Sequence, residues 1–485
     1  MTALRVLRDQ FSKLGYPRDA IVSNYVFSDV FADSPRDQAV SLAAFTRTPP
    51  SYRNAAFGVV DAKGADPASV VSKYRALGAP VLFLIENKNI SAWQVKANDV
   101  PRKIGQAKAD NIATLFGKHQ ASWTPDSVHR AKSIGQFDRQ YQLDFVDLGL
   151  LPAIEGEIHA KLDRLLLEMM EDIKVARTRF SASVVDERAV FRTVFRLLAA
   201  KILQDRDHPL AARWDASNIA TVLRTMRGHY RLPDLLNDRG HDKVFSAGWD
   251  RLRSGISFRN VSADDLAFVY ENTLVTRATR KKYGTHSTPR QVAEFAVNRL
   301  KLSSMNNSVD SKVYEPFAGS GVFLVAAMRS LKDALPTNWT DERRHNSLVS
   351  RISGDELDSF ACEVAKLSLI LADYPNANGW HIGEADLFAR GALAQRAAGA
   401  NVVLCNPPFE DFDDDERLKY PDAYAKSHAK PIAALSTILD AKPDAFVFVL
   451  PPIFVEGKKY AKARQRVEQE YRDIEIVDIP EETFR

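Results

Sequence analysis

The 485 residues are 45% hydrophobic and 26% charged, a globular composition that excludes a disordered or fibrous chain and implies about two to four domains at roughly 100–200 residues each. No run of about 18 apolar residues occurs, and the N-terminus interleaves apolar residues with Arg5, Arg8, Asp9 and Lys13, so neither a membrane span nor a secretory leader is read and a cytoplasmic location is expected. The formal net charge of +4 permits nucleic-acid binding without demanding it, and two cysteines, Cys362 and Cys405, exclude a disulfide scaffold and a cysteine-based zinc site.

A small α/β domain is predicted over residues 1–150. An apolar run from Ala56 to Val60 precedes a helix, and the runs Val81 to Ile85 and Ile90 to Val95 flank the polar Glu86-Asn87-Lys88-Asn89, which reads as a hairpin. Residues 151–275 change to a helical period. Ile158, Leu162, Leu165, Leu166, Met169 and Met170, then Val190, Val194, Leu197, Leu198 and Ile202, recur at steps of three and four. The last predicted helix, around Leu266, Val269, Tyr270 and Leu274, runs into a basic stretch from Arg277 to Lys282. Over residues 276–485 short strands alternate with helices. The strands are Val313-Tyr314, Arg351 to Ser353, Val402 to Cys405, Ala445 to Leu450 and Ile474 to Ile479, an order that predicts a parallel sheet covered by helices.

The strongest local signal is the strand Val403-Leu404-Cys405, which stops in Asn406-Pro407-Pro408-Phe409. Proline removes backbone donors and restricts the residue before it, so the Asn406 side-chain oxygen and the Pro407 carbonyl are expected to project together beyond the strand. Two convergent acceptors suit an exocyclic amine on an aromatic ring, whose delocalised lone pair becomes nucleophilic as the nitrogen turns tetrahedral. Phe409 can stack on the ring that carries the amine, and a base in a duplex would first have to flip out. Taken alone, the tetrapeptide is equally a plain turn.

Upstream, Val313-Tyr314-Glu315-Pro316-Phe317-Ala318-Gly319-Ser320-Gly321 reads as a strand and a glycine turn that opens an apolar helix. Gly319 and Gly321 allow a ligand close to the backbone, and the free N–H groups of the helix start suit a carboxylate such as that of methionine. Gly354-Asp355-Glu356-Leu357-Asp358 ends a second strand in acids, of which Glu356 suits ribose hydroxyls. Asp386 can accept an adenine amine, and Phe388 can pack on the ring. Thr288, Pro289 and Gln291 read as a capping box and first helical position, with Val292, Phe295 and Ala296 on the buried face.

These motifs, in this order, resemble the N6-adenine DNA methyltransferases of the gamma arrangement, found as Type I modification subunits and in single-chain restriction-modification enzymes. The resemblance covers roughly residues 185–485 and includes Ala199-Ala200-Lys201-Ile202, Gly284 to Pro289, Pro451-Pro452-Ile453-Phe454 with Gly457, and Ile479-Pro480 with Phe484. Glu315 stands where Asp is commoner, and His286-Ser287 where aromatics are commoner. The resemblance implies a Rossmann-like methyltransferase domain and S-adenosyl-L-methionine as cofactor. Cofactor contacts would come from Thr288, Pro289, Glu315, Phe317, Gly319, Gly321, Glu356, Asp386, Phe388 and Asn406, and catalysis from Asn406, Pro407, Pro408 and Phe409. No metal is expected for this transfer. The acidic run Glu410 to Glu416 reads as a solvated loop, and Arg277, Arg280, Lys281 and Lys282 as contacts to the DNA backbone or a solvated helix end.

Asp61 and Glu86-Asn87-Lys88 resemble the Asp…Glu-x-Lys arrangement of metal-dependent nucleases, although a polar hairpin turn explains the second cluster as well. The expectation is therefore a multidomain chain: a small N-terminal α/β, nuclease-like domain serving DNA or partner binding, a helical domain, then the methyltransferase domain. The alternatives are a bifunctional endonuclease-methyltransferase, or the same chemistry on RNA or on protein glutamine. The expected partners are double-stranded DNA and a specificity or restriction subunit in a restriction-modification or anti-phage system. Arg485 falls where the gamma arrangement would continue into a target-recognition region, which is expected from elsewhere in the protein or from a partner.

Overall fold

The computed structural model describes residues 2–34, 36–62, 64–87, 89–179, 187–215, 217–233, 241–269, 288–302, 311–336, 338–376 and 378–480. The chain divides into two units, residues 1–269 with 373–375, and residues 270–372 with 376–485. Among the described residues no helix is long and apolar enough to cross a membrane, and no three His, Cys, Asp or Glu side chains gather as a metal site.

The first unit opens with a six-stranded sheet in the order β1 (Ile21–Ser28), β2 (Asp37–Phe45), β3 (Ala55–Asp61), β4 (Val81–Glu86), β5 (Asn89–Gln94) and β6 (Arg102–Lys108). All neighbours are antiparallel except β3 and β4, which run parallel across the helix Pro67–Lys73. The expected hairpin forms, with Glu86 opposite Asn89 and Asn87 at the positive φ such a turn needs. One face of the sheet is sealed by aromatics, with Phe11 stacked on Phe57 at 5.1 Å and Phe83 on Phe116 at 5.4 Å. β1, β2 and β6 were not among the expected strands. β6, Arg-Lys-Ile-Gly-Gln-Ala-Lys, is an edge strand whose charged residues give it the look of a surface loop.

Helices follow in the same unit, among them Leu150–Arg179, Glu187–Asp205, Ile219–Tyr230, His241–Ser254 and Asp264–Val269. Ile158, Leu162, Leu166 and Met169 are buried as the periodicity predicts, while Leu165 and Met170 are half-buried; Val190, Val194, Leu197, Leu198 and Ile202 are all buried. A buried charge cluster ties the loop before β3 to these helices. Arg53 Nη2 pairs with Glu155 Oε1 at 2.7 Å and Asp265 Oδ1 at 3.2 Å, and Asp265 Oδ1 also accepts from Tyr52 Oη at 2.9 Å and lies 3.2 Å from His159 Nε2.

The second unit holds a five-stranded, all-parallel sheet in the order β11-β10-β7-β8-β9. The strands are β7 (Val313–Pro316), β8 (Ile352–Glu356), β9 (His381–Glu384), β10 (Val402–Cys405) and β11 (Ala445–Phe448). The predicted parallel sheet is present, with two differences from expectation. β9 has one buried residue, Ile382, and so carries no apolar run. The strand expected at Ile474 to Ile479 is irregular: among the described residues no strand pairs with it, and Ile476 is 67% exposed. Both cysteines, Cys362 and Cys405, are buried. The basic stretch Arg277 to Lys282, His286-Ser287 and Phe484 lie outside the described residues.

Candidate active site

Strand order in the second unit reverses between β7 and β10, which are adjacent, with Val402 opposite Val313 and Val403 opposite Tyr314. In an open parallel sheet a crevice forms outside the C-terminal strand ends at such a reversal. β7 ends at Pro316 and β10 at Cys405, so Phe317 and Asn406 are the first residues beyond the ends of the two adjacent strands. The two strongest sequence motifs are therefore the two lips of one crevice.

The turn after β7 is built from left-handed residues: Phe317 at φ 58, Gly319 at φ 51 and Gly321 at φ 79. A non-glycine residue in that region is uncommon and costs about 1 kcal/mol. The two glycines serve different ends. A Cβ on Gly321 would lie 2.9 Å from the Ala365 Cβ, so Gly321 permits the helix Val322–Ala334 to start against the helix Ser359–Ala372. A Cβ on Gly319 meets nothing within 4 Å, which leaves its backbone open to a ligand.

Glu315 is buried, and its Oε2 accepts from Leu324 N at 3.1 Å. Gly321 has no side chain to cap the helix, so Glu315 does so from the strand. Burial pushes its carboxyl well above the usual carboxylate range, and Glu356 nearby adds to this. Glu356 accepts three backbone bonds: Gly319 N on Oε2 at 2.9 Å, and Leu357 N and Asp358 N on Oε1 at 2.8 and 3.0 Å. A carboxylate has about four acceptor positions, so one remains on Oε2 beside the open face of Gly319. Burial raises the pKa of Glu356, against these bonds.

Phe317 and Phe388 meet at 5.2 Å between ring centroids, inclined by 35°. Asp386 follows β9, and its Oδ2 accepts from Lys419 Nζ at 2.9 Å and Tyr420 Oη at 2.8 Å. Phe388 also packs edge-on against Phe412 at 5.1 Å and lies 6.0 Å from Tyr420. Lys419, Tyr420 and Phe412 were absent from the sequence expectation, since the contacts that bring them to Asp386 and Phe388 are tertiary. The only hint is aromatic spacing at Phe412, Tyr420 and Tyr424. The acidic run is exposed over Asp413 to Asp415 but is more than a loop: Asp413 and Glu416 form a capping box on the helix Asp414–Lys419.

On the other lip, β10 ends at Cys405, Pro407 is buried, and Asn406, Pro408 and Phe409 are half-buried. Asn406 Nδ2 donates to Thr288 Oγ1 at 2.8 Å. This revises the reading of the Thr288 segment. The helix starts at Arg290 with Pro289 as its cap position and no side-chain cap, so the Thr288 hydroxyl serves Asn406 and not the helix. The buried face is Val292, Ala293 and Val297, with Phe295 and Ala296 half-buried.

In the first unit, Asp61 ends β3 opposite Ile85, one residue before Glu86 on the parallel strand β4, and Glu86 Oε2 accepts from Ser91 Oγ at 2.8 Å. Lys88 lies outside the described residues.

Residues 261–484 match the family described as N-6 DNA Methylase. No curated protein matches the chain. Among solved structures, the chain is similar to the DrdV–DNA complex, with 14% identity over 96% of this chain and 49% of that one and a TM-score of 0.47. It is also similar to a modification subunit of a putative type I restriction enzyme from Vibrio vulnificus YJ016, with 15% identity, coverage of 62% and 75%, and a TM-score of 0.41. A third is the type IIG restriction endonuclease BpuSI, with 12% identity, coverage of 96% and 52%, and a TM-score of 0.42. The chain thus spans about half the length of the first and third of these proteins.

Proposed function

We propose, from the match of residues 261–484 to the N-6 DNA Methylase family, that this chain transfers a methyl group from S-adenosylmethionine to the N6 amine of adenine in DNA. The observation that carries the reading is the pairing of two lips at one strand-order reversal: the Phe317 to Gly321 turn on β7, and Asn406 to Phe409 on β10 with the Asn406 amide tied to Thr288. S-adenosylmethionine supplies a methyl already activated by its sulfonium centre, so the protein has to align and not to activate.

The residues fit that ligand. Phe317 and Phe388 offer aromatic faces for its adenine, Asp386 a carboxylate for the ring amine, Glu356 an acceptor for ribose hydroxyls, and the open backbone at Gly319 room for close approach. With Nδ2 held by Thr288, Asn406 presents its oxygen as the acceptor. Together with the Pro407 carbonyl, that oxygen takes the two N–H protons of the target amine and leaves the nitrogen lone pair directed at the methyl. Phe409 stacks on the flipped base. Pro408 stiffens the turn.

The three-part division at 1–150, 151–275 and 276–485 belongs to this proposal, as does a nuclease-like N-terminal domain that serves DNA or partner binding. The parallel β3 and β4, which bring Asp61 and Glu86 to neighbouring strand ends, support that second reading. Double-stranded DNA is the proposed substrate and a specificity or restriction subunit the proposed partner, within a restriction-modification system. Transfer of labelled methyl to duplex DNA tests the methyltransferase reading, and loss of supercoiled plasmid with magnesium tests for cleavage by the N-terminal domain.

A further inference from the structure

Asp386, Lys419 and Tyr420 form a closed triangle. Lys419 Nζ lies 2.9 Å from Asp386 Oδ2 and 2.7 Å from Tyr420 Oη, and Tyr420 Oη lies 2.8 Å from the same Oδ2. Tyr420 is held in place from several directions. It is buried with Phe412 and Ala433, and the segment that carries it is clasped at its base by Phe412 N to His428 O at 3.0 Å and Lys430 N to Glu410 O at 3.1 Å. The Asp413–Glu416 capping box starts the helix that ends at Lys419, and Lys430 Nζ reaches Glu416 Oε1 at 2.8 Å. A phenol so anchored gives the Asp386 carboxylate a fixed orientation, although Asp386 itself sits on a turn after β9. Both bonds land on Oδ2, so Oδ1 is the oxygen with which the carboxylate meets a further donor. Asp386 and Lys419 form an ion pair, and a donor that meets Oδ1 makes a charge-assisted bond with the carboxylate.

We infer that Lys419 and Tyr420 are positioning residues for the cofactor, holding Asp386 so that it reads the 6-amine of the adenine ring. The inference rests on the methyltransferase reading above. Because the segment follows directly on Asn406 to Phe409, one stretch of chain supplies both the lip that faces the target base and the clamp behind the cofactor's adenine.

The test is calorimetric binding of S-adenosylhomocysteine, and of its analogue with hydrogen in place of the 6-amine, to the full chain and to Tyr420→Phe and Lys419→Met. Tyr420→Phe removes one oxygen and keeps the packed ring. The expected result is that each variant weakens S-adenosylhomocysteine about tenfold, the size of one hydrogen bond to a charged group, and leaves the affinity for the analogue unchanged. In turnover, KM for S-adenosylmethionine rises and kcat holds. Equal weakening of both ligands would make the triangle merely structural and overturn the inference, and so would unchanged binding of both; in either case the methyltransferase reading stands. If the unsubstituted chain binds neither ligand, that reading fails and the inference with it.

Discussion

Asn406 Nδ2 donates to Thr288 Oγ1 across 118 positions of sequence, at 2.8 Å. The bond joins the segment before the first strand of the sheet to the end of the fourth, and fixes which edge of the amide faces the crevice. Thr288→Val keeps the shape and removes the acceptor, so the amide loses its fixed orientation. The expected outcome is a kcat about tenfold lower, restored in Thr288→Ser. Steady-state transfer of labelled methyl checks it; a kcat unchanged in Thr288→Val would show that Asn406 needs no such anchor.

The two glycines of the β7 turn separate ligand approach from packing. Gly319→Ala places its Cβ in open space and carries only the cost of a left-handed alanine, about 1 kcal/mol, but it narrows the ligand face and should raise KM for S-adenosylmethionine. Gly321→Ala drives a Cβ to 2.9 Å from that of Ala365 and should destabilise by about 1–3 kcal/mol more. Denaturant unfolding alongside cofactor titration distinguishes them. Equal stability losses would contradict the assignment.

Glu315 predicts a pH dependence. Its folded pKa is raised by burial, so above the unfolded value of about 4.3 the native state holds a proton that the unfolded state has released, and its contribution to stability declines as pH rises. Gln at this position can still accept from Leu324 N without titrating. Glu315→Gln should be more stable than the unsubstituted chain at pH 8, with an advantage that shrinks toward pH 4. An advantage that grows on acidification would refute the sign.

Arg53 should be a stability hot spot of the first unit. It is buried among Glu155, Asp264 and Asp265, and removing the cation leaves those carboxylates uncompensated. Arg53→Met is expected to destabilise the first unit by about 3–5 kcal/mol, read as a lower denaturation midpoint in residues 1–269.

Much of this was legible in the sequence because the chemistry is local. The strand, turn and helix at Val313 to Phe323, the stop at Asn406-Pro407-Pro408 and the hairpin at Glu86 to Asn89 are each decided by neighbours in the chain. β9 was missed because four residues with one buried side chain leave no pattern, and β1 and β2 because only the finished sheet buries them. Ile474 to Ile479 is apolar enough to read as a strand yet joins no sheet among the described residues. Thr288 was misread as a helix cap since its true partner, Asn406, is distant in sequence. The same limit hid Lys419 and Tyr420, whose roles exist only once the segment after Asn406 folds back onto Asp386.

The most direct measurement incubates the full chain with methyl-labelled S-adenosylmethionine and mixed-sequence duplex DNA, digests the DNA to nucleosides, and compares the unsubstituted chain with Asn406→Ala. The account predicts label in N6-methyl-2′-deoxyadenosine from the first and none from the second; label on another base, or label undiminished by Asn406→Ala, would contradict it.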